Sequence, residues 1–233
     1  MALFYAPDIK DTWELPEDEA AHSLRVLRLG VGSELEITDG KGCFYKAVIS
    51  SITGKHCYVE AKETITMPKG WRGNIHIAIA PTKNIDRIEW MTEKAVEIGL
   101  DEITFLNCRF SERKVVKNDR IERIVVSAMK QSLKPFKTVV NELVDFKKFI
   151  AQPVEGAKYI AHCYESEKVL LKDVLEPGKN ATILIGPEGD FSPEEVELAI
   201  KAGYRPVSLG NSRLRTETAG LVACHTYILK NEI

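Results

Sequence analysis

The sequence predicts an α/β protein with a mainly parallel sheet, preceded by a small β-barrel. Between residues 34 and 61, apolar residues alternate with polar ones in short stretches, which is the period of a half-buried strand. Beyond residue 70, apolar runs alternate with stretches at helical spacing, as in β–α–β units. Met67–Gly70 combines a proline and a glycine between the two patterns and suits a linker. We therefore expect one domain over residues 1–70 and a second over residues 71–233.

The first domain begins with an amphipathic stretch over residues 18–29. Its leucines can face a core, while His22, Arg25 and Arg28 recur at intervals of three. A solvent-exposed helix face is the simplest interpretation of these basic residues, and contact with RNA phosphates is the functional one. Residues 35–37, 45–49 and 57–61 then read as strands, and because strands this short need mutual cover, they predict a small antiparallel barrel.

The second domain begins with an apolar strand, Ile75–Ile79, followed by a predicted helix, Ile85–Ile98, that stops before Gly99. A last helix is predicted from about Thr216 to Leu229. This alternation is typical of a mainly parallel sheet. Further strands are predicted at residues 102–107, 138–143, 158–164, 182–185 and 206–209.

The charge is distributed unevenly. The chain of 233 residues has a formal net charge of −2, so the total gives no sign of nucleic-acid binding. Residues 109–137, however, carry nine basic side chains against three acidic ones, an excess of +6. Such a segment is either a solvated helix face or a surface for RNA.

Cysteine usage and the N-terminal sequence indicate a soluble, cytoplasmic protein. The five cysteines form no CxxC pair, which argues against a disulfide framework and against a zinc site. The N-terminus has no signal-peptide layout, and no apolar run approaches the length of a membrane span.

Two polar loops follow predicted strands. Residues 182–185 run into Gly186-Pro187-Glu188-Gly189, after which Ser192 and Glu195 form a predicted capping box. The glycines let the backbone approach a ligand, but the loop lacks the spacing of dinucleotide or triphosphate loops. The second loop leads to Arg215, which gains nothing from a helix N-terminus and therefore needs an anionic or polar partner. Taken singly, each loop is as readily structural as functional.

Together these segments resemble the bacterial small-subunit ribosomal RNA (uracil-N3)-methyltransferases. The resemblance covers nearly the whole chain. It is carried by residues 186–192 with Glu195, and by 209–210 with 214–219, 22–28, 83–84, 93–99 and 111–113.

The resemblance implies a trefoil-knotted catalytic domain, an N-terminal PUA-like RNA-binding barrel and a homodimer. It also implies S-adenosyl-L-methionine as cofactor, 16S ribosomal RNA or the small subunit as substrate, and no metal. Catalysis would fall to Arg215 and Glu217. The implied cofactor-binding residues are Ile185, Gly186, Pro187, Glu188, Gly189, Leu209, Gly210, Leu214, Thr216, Thr218 and Ala219. The implied RNA-binding residues are Arg25, Arg28, Lys83, Lys94, Arg113, Lys114 and Lys134.

The chain departs from the family pattern at three places. Asp190 stands where the family usually has a second glycine, and Asn211 and Ser212 stand where proline and arginine are frequent. Lys134 replaces a common arginine and so keeps the charge without the bidentate fork.

Three other functions are compatible with parts of this pattern. A related knotted enzyme that methylates a ribose 2′-hydroxyl would use similar loops. A non-catalytic RNA-binding assembly factor would keep the fold without binding cofactor, and the intact loops speak against it. A nucleotide-dependent oxidoreductase on an open sheet would need a GxGxxG after its first strand, where Ala80-Pro81-Thr82-Lys83 stands.

Overall fold

A computed structural model describes residues 2–233 and divides into two compact units. The first unit contains the chain up to Lys69 together with Met129–Lys137, and the second contains Gly70–Ala128 and Thr138–Ile233. Residues 129–137 thus belong to the first unit, whereas the linker at Met67–Gly70 predicts that they lie in the second domain. No helix among residues 2–233 combines the length and apolar character that crossing a bilayer requires.

The first unit is built on a four-stranded sheet. The elements of this unit are β1 (Leu3–Tyr5), α1 (Ile9–Thr12), α2 (Glu17–Ala21), β2 (Glu34–Thr38), β3 (Cys43–Thr53) and β4 (His56–Thr66). The strands lie in the order β1-β2-β3-β4. The β2–β3 and β3–β4 pairs are antiparallel, as the alternating pattern predicted, but β1 pairs with β2 in parallel and was not predicted.

The predicted helix over residues 18–29 is wrong in its second half. The α-helix ends at Ala21, and a π-helical turn follows over His22–Val26. Arg28 then has a left-handed backbone, with φ of +55°. Because a π-turn is wider than an α-turn, basic residues three apart do not stay in line on one face.

A buried carboxylate anchors residues 129–137 within the first unit. Glu19 is 6% exposed, and its Oε1 accepts hydrogen bonds from the Lys130 ammonium at 2.6 Å and from the Tyr5 N–H at 3.2 Å. The Lys137 N–H also donates to the Gly40 carbonyl at 2.9 Å. Polar contacts thus hold a segment far away in sequence against the first unit.

The second unit contains eight described strands with helices between them. The elements are β5 (Ile75–Ile79), α3 (Ile85–Ile98), β6 (Glu102–Asn107), α4 (Asn118–Gln131), β7 (Val139–Val140), β8 (Val144–Asp145), α5 (Phe146–Ile150), β9 (Ala157–Ala161), β10 (Val169–Leu170), α6 (Leu171–Val174), β11 (Ala181–Ile185), α7 (Pro193–Lys201), β12 (Arg205–Ser208) and α8 (Thr216–Asn231). The strands lie in the order β10-β12-β9-β11-β5-β6-β7, with β8 also paired to β6, and every pair is parallel. Helix α3 and strand β6 have the predicted bounds.

The last helix returns across the sheet. Strand β12 lies beyond β9, yet α8 packs against α3, β5 and β11 on the other side of β9. The chain between β12 and α8 must therefore cross the carboxyl ends of the central strands. Gly220 permits the close approach of α8, because a Cβ there would lie 2.9 Å from the Ile79 Cδ1 atom.

The Glu19–Lys130 ion pair gives a stability prediction. Lys130→Ala leaves a buried carboxylate without its cation, so we expect the free energy of unfolding of the first unit to fall by about 3 kcal/mol. The matched control is Lys46→Ala, whose ion pair with Glu63 is about half exposed on both sides and should contribute under about 1 kcal/mol. Urea denaturation followed by circular dichroism measures both, and equal effects would contradict the assignment.

Candidate active site

A cavity of about 950 Å³ lies at the carboxyl ends of the central strands. Because β12, β9 and β11 are parallel neighbours, the loops that follow them meet at one edge of the sheet, where ligands commonly bind in α/β folds. The lining residues are Ala161–Cys163, Lys168, Ile185–Asp190, Val207–Thr216, Ala219 and, from α3, Arg87.

The cavity brings together nearly all of the predicted cofactor-binding residues. Thr218 is the exception, since it does not line the cavity. Of the two predicted catalytic residues, Arg215 lines it and Glu217 does not. The predicted cofactor residues in the lining are Ile185, Gly186, Pro187, Glu188, Gly189, Leu209, Gly210, Leu214, Thr216 and Ala219.

The loop after β11 is tightly packed at its base. Gly186 is buried, and a Cβ there would lie 2.9 Å from the Phe191 nitrogen, so no side chain fits. The predicted capping box is confirmed: the Glu195 N–H donates to Ser192 Oγ at 3.2 Å, and the Ser192 N–H donates to Glu195 Oε2 at 2.8 Å. Glu195 Oε1 also accepts the Arg109 N–H at 2.8 Å, which ties this loop to the chain after β6.

Glu188 connects the same loop to the turn after β5. Its Oε1 accepts the Lys83 N–H at 2.8 Å. The Arg113 guanidinium donates to the carbonyls of Thr82 at 3.1 Å and Lys83 at 2.6 Å, so both sides of this turn are held. Glu188 and Arg113 thus fix the backbone at the edge of the cavity.

Asp190 is the residue at which the resemblance to the methyltransferases leads us to expect a glycine. Its φ is +66°, the left-handed region that glycine adopts without strain and that aspartate tolerates better than most residues. Its carboxylate accepts the Cys163 N–H at 2.7 Å and the Phe191 N–H at 2.8 Å. The side chain therefore ties the loop after β11 to the loop after β9, which a glycine cannot do.

His162 lines the cavity and is not among the site residues predicted from the sequence. This residue is 9% exposed, and neither ring nitrogen has a hydrogen-bond partner among residues 2–233. Burial lowers the imidazole pKa from its ordinary value, and the nearby Lys168 ammonium lowers it further while Asp190 opposes the shift. The ring is therefore neutral at pH 7. The sequence predicts a strand over residues 158–164 and therefore places His162 within it, whereas β9 ends at Ala161.

Arg87 was also missed, and it faces the predicted catalytic glutamate. Glu217 is 7% exposed in the first turn of α8, and its Oε2 has no hydrogen-bond partner in the described chain. The Arg87 Nε lies 3.9 Å from Glu217 Oε1, within ion-pair range but too far for a hydrogen bond. Arg215 is the exposed N-cap of α8 and its side chain makes no capping hydrogen bond.

The predicted RNA-binding residues divide by environment. Lys83 forms an ion pair with Glu112 at 2.8 Å, and Lys94 pairs with Glu93 at 2.7 Å and Glu97 at 2.8 Å. Arg113 is occupied by backbone carbonyls, and Lys134 is half-buried in the first unit. The exposed ones are Arg25, Arg28, Lys83 and Lys114.

Comparison with known protein families shows which family the chain belongs to. Residues 69–228 match the model of an RNA methyltransferase domain, which is more than half of the chain. The chain belongs to this RNA methyltransferase family. Residues 15–62 match an RNA methyltransferase PUA domain. The predicted RNA methyltransferase, with an α/β catalytic domain and a PUA-like first domain, is thereby confirmed, and the oxidoreductase alternative is wrong.

Individual relatives agree with this family membership. A probable rRNA-methyltransferase from Porphyromonas gingivalis is 50% identical, with a TM-score of 0.90 over 98% of this chain and 99% of that one. The ribosomal RNA small subunit methyltransferase E of Aquifex aeolicus is 32% identical over 69% of each chain. The enzyme of the same name from Neisseria gonorrhoeae, solved bound to S-adenosyl methionine, is 27% identical, with a TM-score of 0.83 over 96% of this chain and 95% of that one.

Asp190 combines two hydrogen bonds with a left-handed backbone, and this combination gives a second prediction. Asp190→Ala loses both hydrogen bonds and keeps an unfavourable left-handed backbone, so the free energy of unfolding should fall by about 2–3 kcal/mol. Asp190→Gly loses the same hydrogen bonds but relieves the backbone, so it should cost about 1 kcal/mol less than the alanine variant. Denaturant unfolding of both variants checks the order; an alanine variant as stable as the glycine variant would contradict it.

Proposed function

We propose that this family member transfers a methyl group from S-adenosyl-L-methionine to N3 of a uridine in 16S ribosomal RNA. The observation that carries the proposal is the cavity in which the loop Ile185–Asp190 meets the segment Leu209–Ala219. The relatives described above, named as small-subunit ribosomal RNA methyltransferases, support the substrate class. The resemblance described in the sequence analysis supports the base and its N3 atom.

The cavity fits the proposed cofactor. Its volume, about 950 Å³, is at the upper end of small-molecule sites. Gly186, Leu209 and Gly210 line it within loops, where backbone N–H and C=O groups that pair with no neighbouring strand can serve a nucleoside. When bound, S-adenosyl-L-methionine would supply a methyl group on a positively charged sulfur; a bond from the substrate nitrogen to the methyl carbon would form as the sulfur–methyl bond breaks, with the neutral thioether S-adenosylhomocysteine as the leaving group. We assign cofactor binding to these loops.

The substrate nitrogen must first lose its proton. The pKa of a uracil N3–H lies roughly two to three units above neutrality, so forming the anion in water costs roughly 3–4 kcal/mol. Arg215 and Arg87 both line the cavity, and guanidinium groups there stabilise negative charge on the uracil carbonyl oxygens. Preorganised cations of this kind are sufficient to offset such a cost.

Glu217 has a supporting role in this proposal. Because its carboxylate lies behind the cavity lining, 3.9 Å from the Arg87 Nε, it is better placed to orient Arg87 than to take the proton from the substrate. The proton then passes to water at the exposed side of the cavity, where Glu188, Gly189 and Asn211 lie. The chain's own contribution is thus charge stabilisation and alignment.

RNA binding is assigned to exposed cations of both units. Arg25 and Arg28 in the first unit and Lys114 in the second are exposed and suited to phosphate contacts. The uridine must be unpaired or flipped to enter a cavity among loops. The homodimer and the cytoplasmic location expected from the sequence stay predictions, and sedimentation of the purified protein tests the first of them.

The product nucleoside tests the proposed reaction. Protein, S-adenosyl-L-methionine with a labelled methyl group, and either free 16S RNA or small subunits from a strain lacking the enzyme should yield labelled 3-methyluridine after nuclease digestion and mass spectrometry. A label on a ribose 2′-oxygen would instead establish the related 2′-O-methyltransferase activity. RNA binding without any transfer to either substrate would indicate an assembly factor.

Arg215 is the residue whose removal should separate binding from chemistry. Arg215→Ala should lower methyl transfer by about 10²–10³-fold while the S-adenosyl-L-methionine Kd changes by only a few-fold. Arg205→Ala is the control, because Arg205 is an exposed arginine at the amino end of β12, away from the cavity lining. Calorimetry showing that the Arg215 variant no longer binds the cofactor would move Arg215 to the cofactor site.

The salt dependence of RNA binding tests the first unit. If Arg25 and Arg28 each contact a phosphate, the double variant Arg25→Glu/Arg28→Glu should bind RNA more weakly and reduce the slope of log Kd against log salt by about 1.4–1.8. Lys62→Glu, at an exposed lysine of the same unit, is the control. An unchanged slope in the double variant would remove this surface from RNA binding.

A further inference from the structure

Phe110 is an exposed aromatic side chain at the edge of the cavity. It is 44% exposed, and although it does not line the cavity itself, it lies next to Gly189, which does. A Cβ added at Gly189 would lie 3.3 Å from the Phe110 Cβ and 3.8 Å from its Cγ, so the side chain borders the loop after β11. Single exposed apolar side chains are common on protein surfaces, so exposure alone indicates no function. The turn that carries Phe110 and the charges around it do.

Hydrogen bonds fix the turn that carries Phe110. The Cys108 N–H donates to Ser111 Oγ at 3.1 Å, and the Ser111 N–H donates to the Cys108 carbonyl at 3.1 Å. Ser111 is buried, and the Arg109 N–H donates to Glu195 Oε1 at 2.8 Å. Because this backbone is already held, a partner that binds on the exposed ring pays little conformational entropy to order it.

The surroundings of Phe110 are positively charged. Residues 109–114 carry three basic side chains and one acidic one. Arg109 and Lys114 are exposed, and the acidic residue, Glu112, is paired with Lys83 at 2.8 Å. An exposed aromatic ring among cations suits a single nucleic-acid strand, because the cations attract its phosphates while a base stacks on the ring.

We propose that Phe110 is a positioning residue that stacks on an unpaired base next to the target uridine, an inference that rests on the proposed function. The side chain lies outside the cavity lining, so it is placed for a neighbouring nucleotide and not for the uridine that enters the cavity. Stacking on the neighbour holds the strand unpaired while the uridine is presented to the cavity. Because every base has an aromatic face, this contact selects unpaired RNA and not a particular sequence.

Substitutions at Phe110 separate stacking from simple apolar contact. Phe110→Ala should raise the KM for 16S RNA, or for the small subunit if that is the substrate methylated, by about tenfold. The kcat and the S-adenosyl-L-methionine Kd should stay within about twofold of the wild type, because the side chain is outside the cavity lining. Phe110→Trp should restore the KM, since its ring also stacks, whereas Phe110→Leu, which is apolar but not aromatic, should not.

Ile200→Ala is the matched control. Ile200 is exposed to a similar extent, 47%, in the last turn of α7, and it does not line the cavity. Its KM should equal that of the wild type. An unchanged KM in Phe110→Ala, or a KM that leucine restores as fully as tryptophan does, would overturn the inference. A changed sedimentation coefficient of Phe110→Ala would also overturn it, because the side chain would then belong to a contact between two copies of the chain.

The remaining outcomes are decisive as well. Thermal unfolding is measured in parallel, and if the alanine variant fails to fold, the leucine and tryptophan variants still decide, since equal KM values in the two would contradict stacking. A wild-type protein that methylates no RNA would refute the proposed function, and the RNA Kd of the same variants would then test Phe110 by itself. Wild-type methyl transfer with unaffected Phe110 variants would refute the assignment of Phe110 alone.

Discussion

Parallel pairing of β11 with β9 and β5 is the constraint on which the site depends. Ile185 pairs with Ala161 on one side and with Ile79 on the other, so the three strands end at the same level. All five residues of β11 are buried, which leaves this central strand little freedom to slide. Consequently Gly186 and His162, the first residues beyond their strands, start from the same edge and face a common cavity.

Carboxylates that accept backbone N–H groups then fix the loops at this edge. Glu188 receives the N–H of Lys83, Asp190 that of Cys163, and Glu195 that of Arg109. The first two bonds each join two loops, and the third joins the first turn of α7 to the chain after β6. A carboxylate acceptor makes such bonds stronger than a neutral acceptor does. Three of the acidic residues near the cavity therefore serve to preorganise the loop backbone.

The basic segment 109–137 shows how a charge excess is divided in the fold. Arg113 holds the carbonyls of the turn after β5, and Lys130 forms the buried ion pair with Glu19 in the first unit. Lys114 is exposed, and its contact with RNA stays a prediction. The sum over the segment therefore does not measure the charge at the protein surface, because some of these cations are bound to backbone carbonyls or to a buried carboxylate.

The sequence alone determined β5, α3, β6 and β11 to within a residue, the capping box at Ser192 and the family. It was wrong at residues 138–143, where the structure has the short strand β7 followed by β8, and it missed β10. The features that it determined are local: periodicity follows from which residues face the core, and a capping box needs only residues three apart. Tertiary structure decided the rest. The parallel partner of β1, the return of residues 129–137 to the first unit, and the positions of Arg87 and His162 at the cavity depend on contacts between residues distant in sequence. No local pattern contains those contacts, because each of them joins residues that only the folded chain brings together.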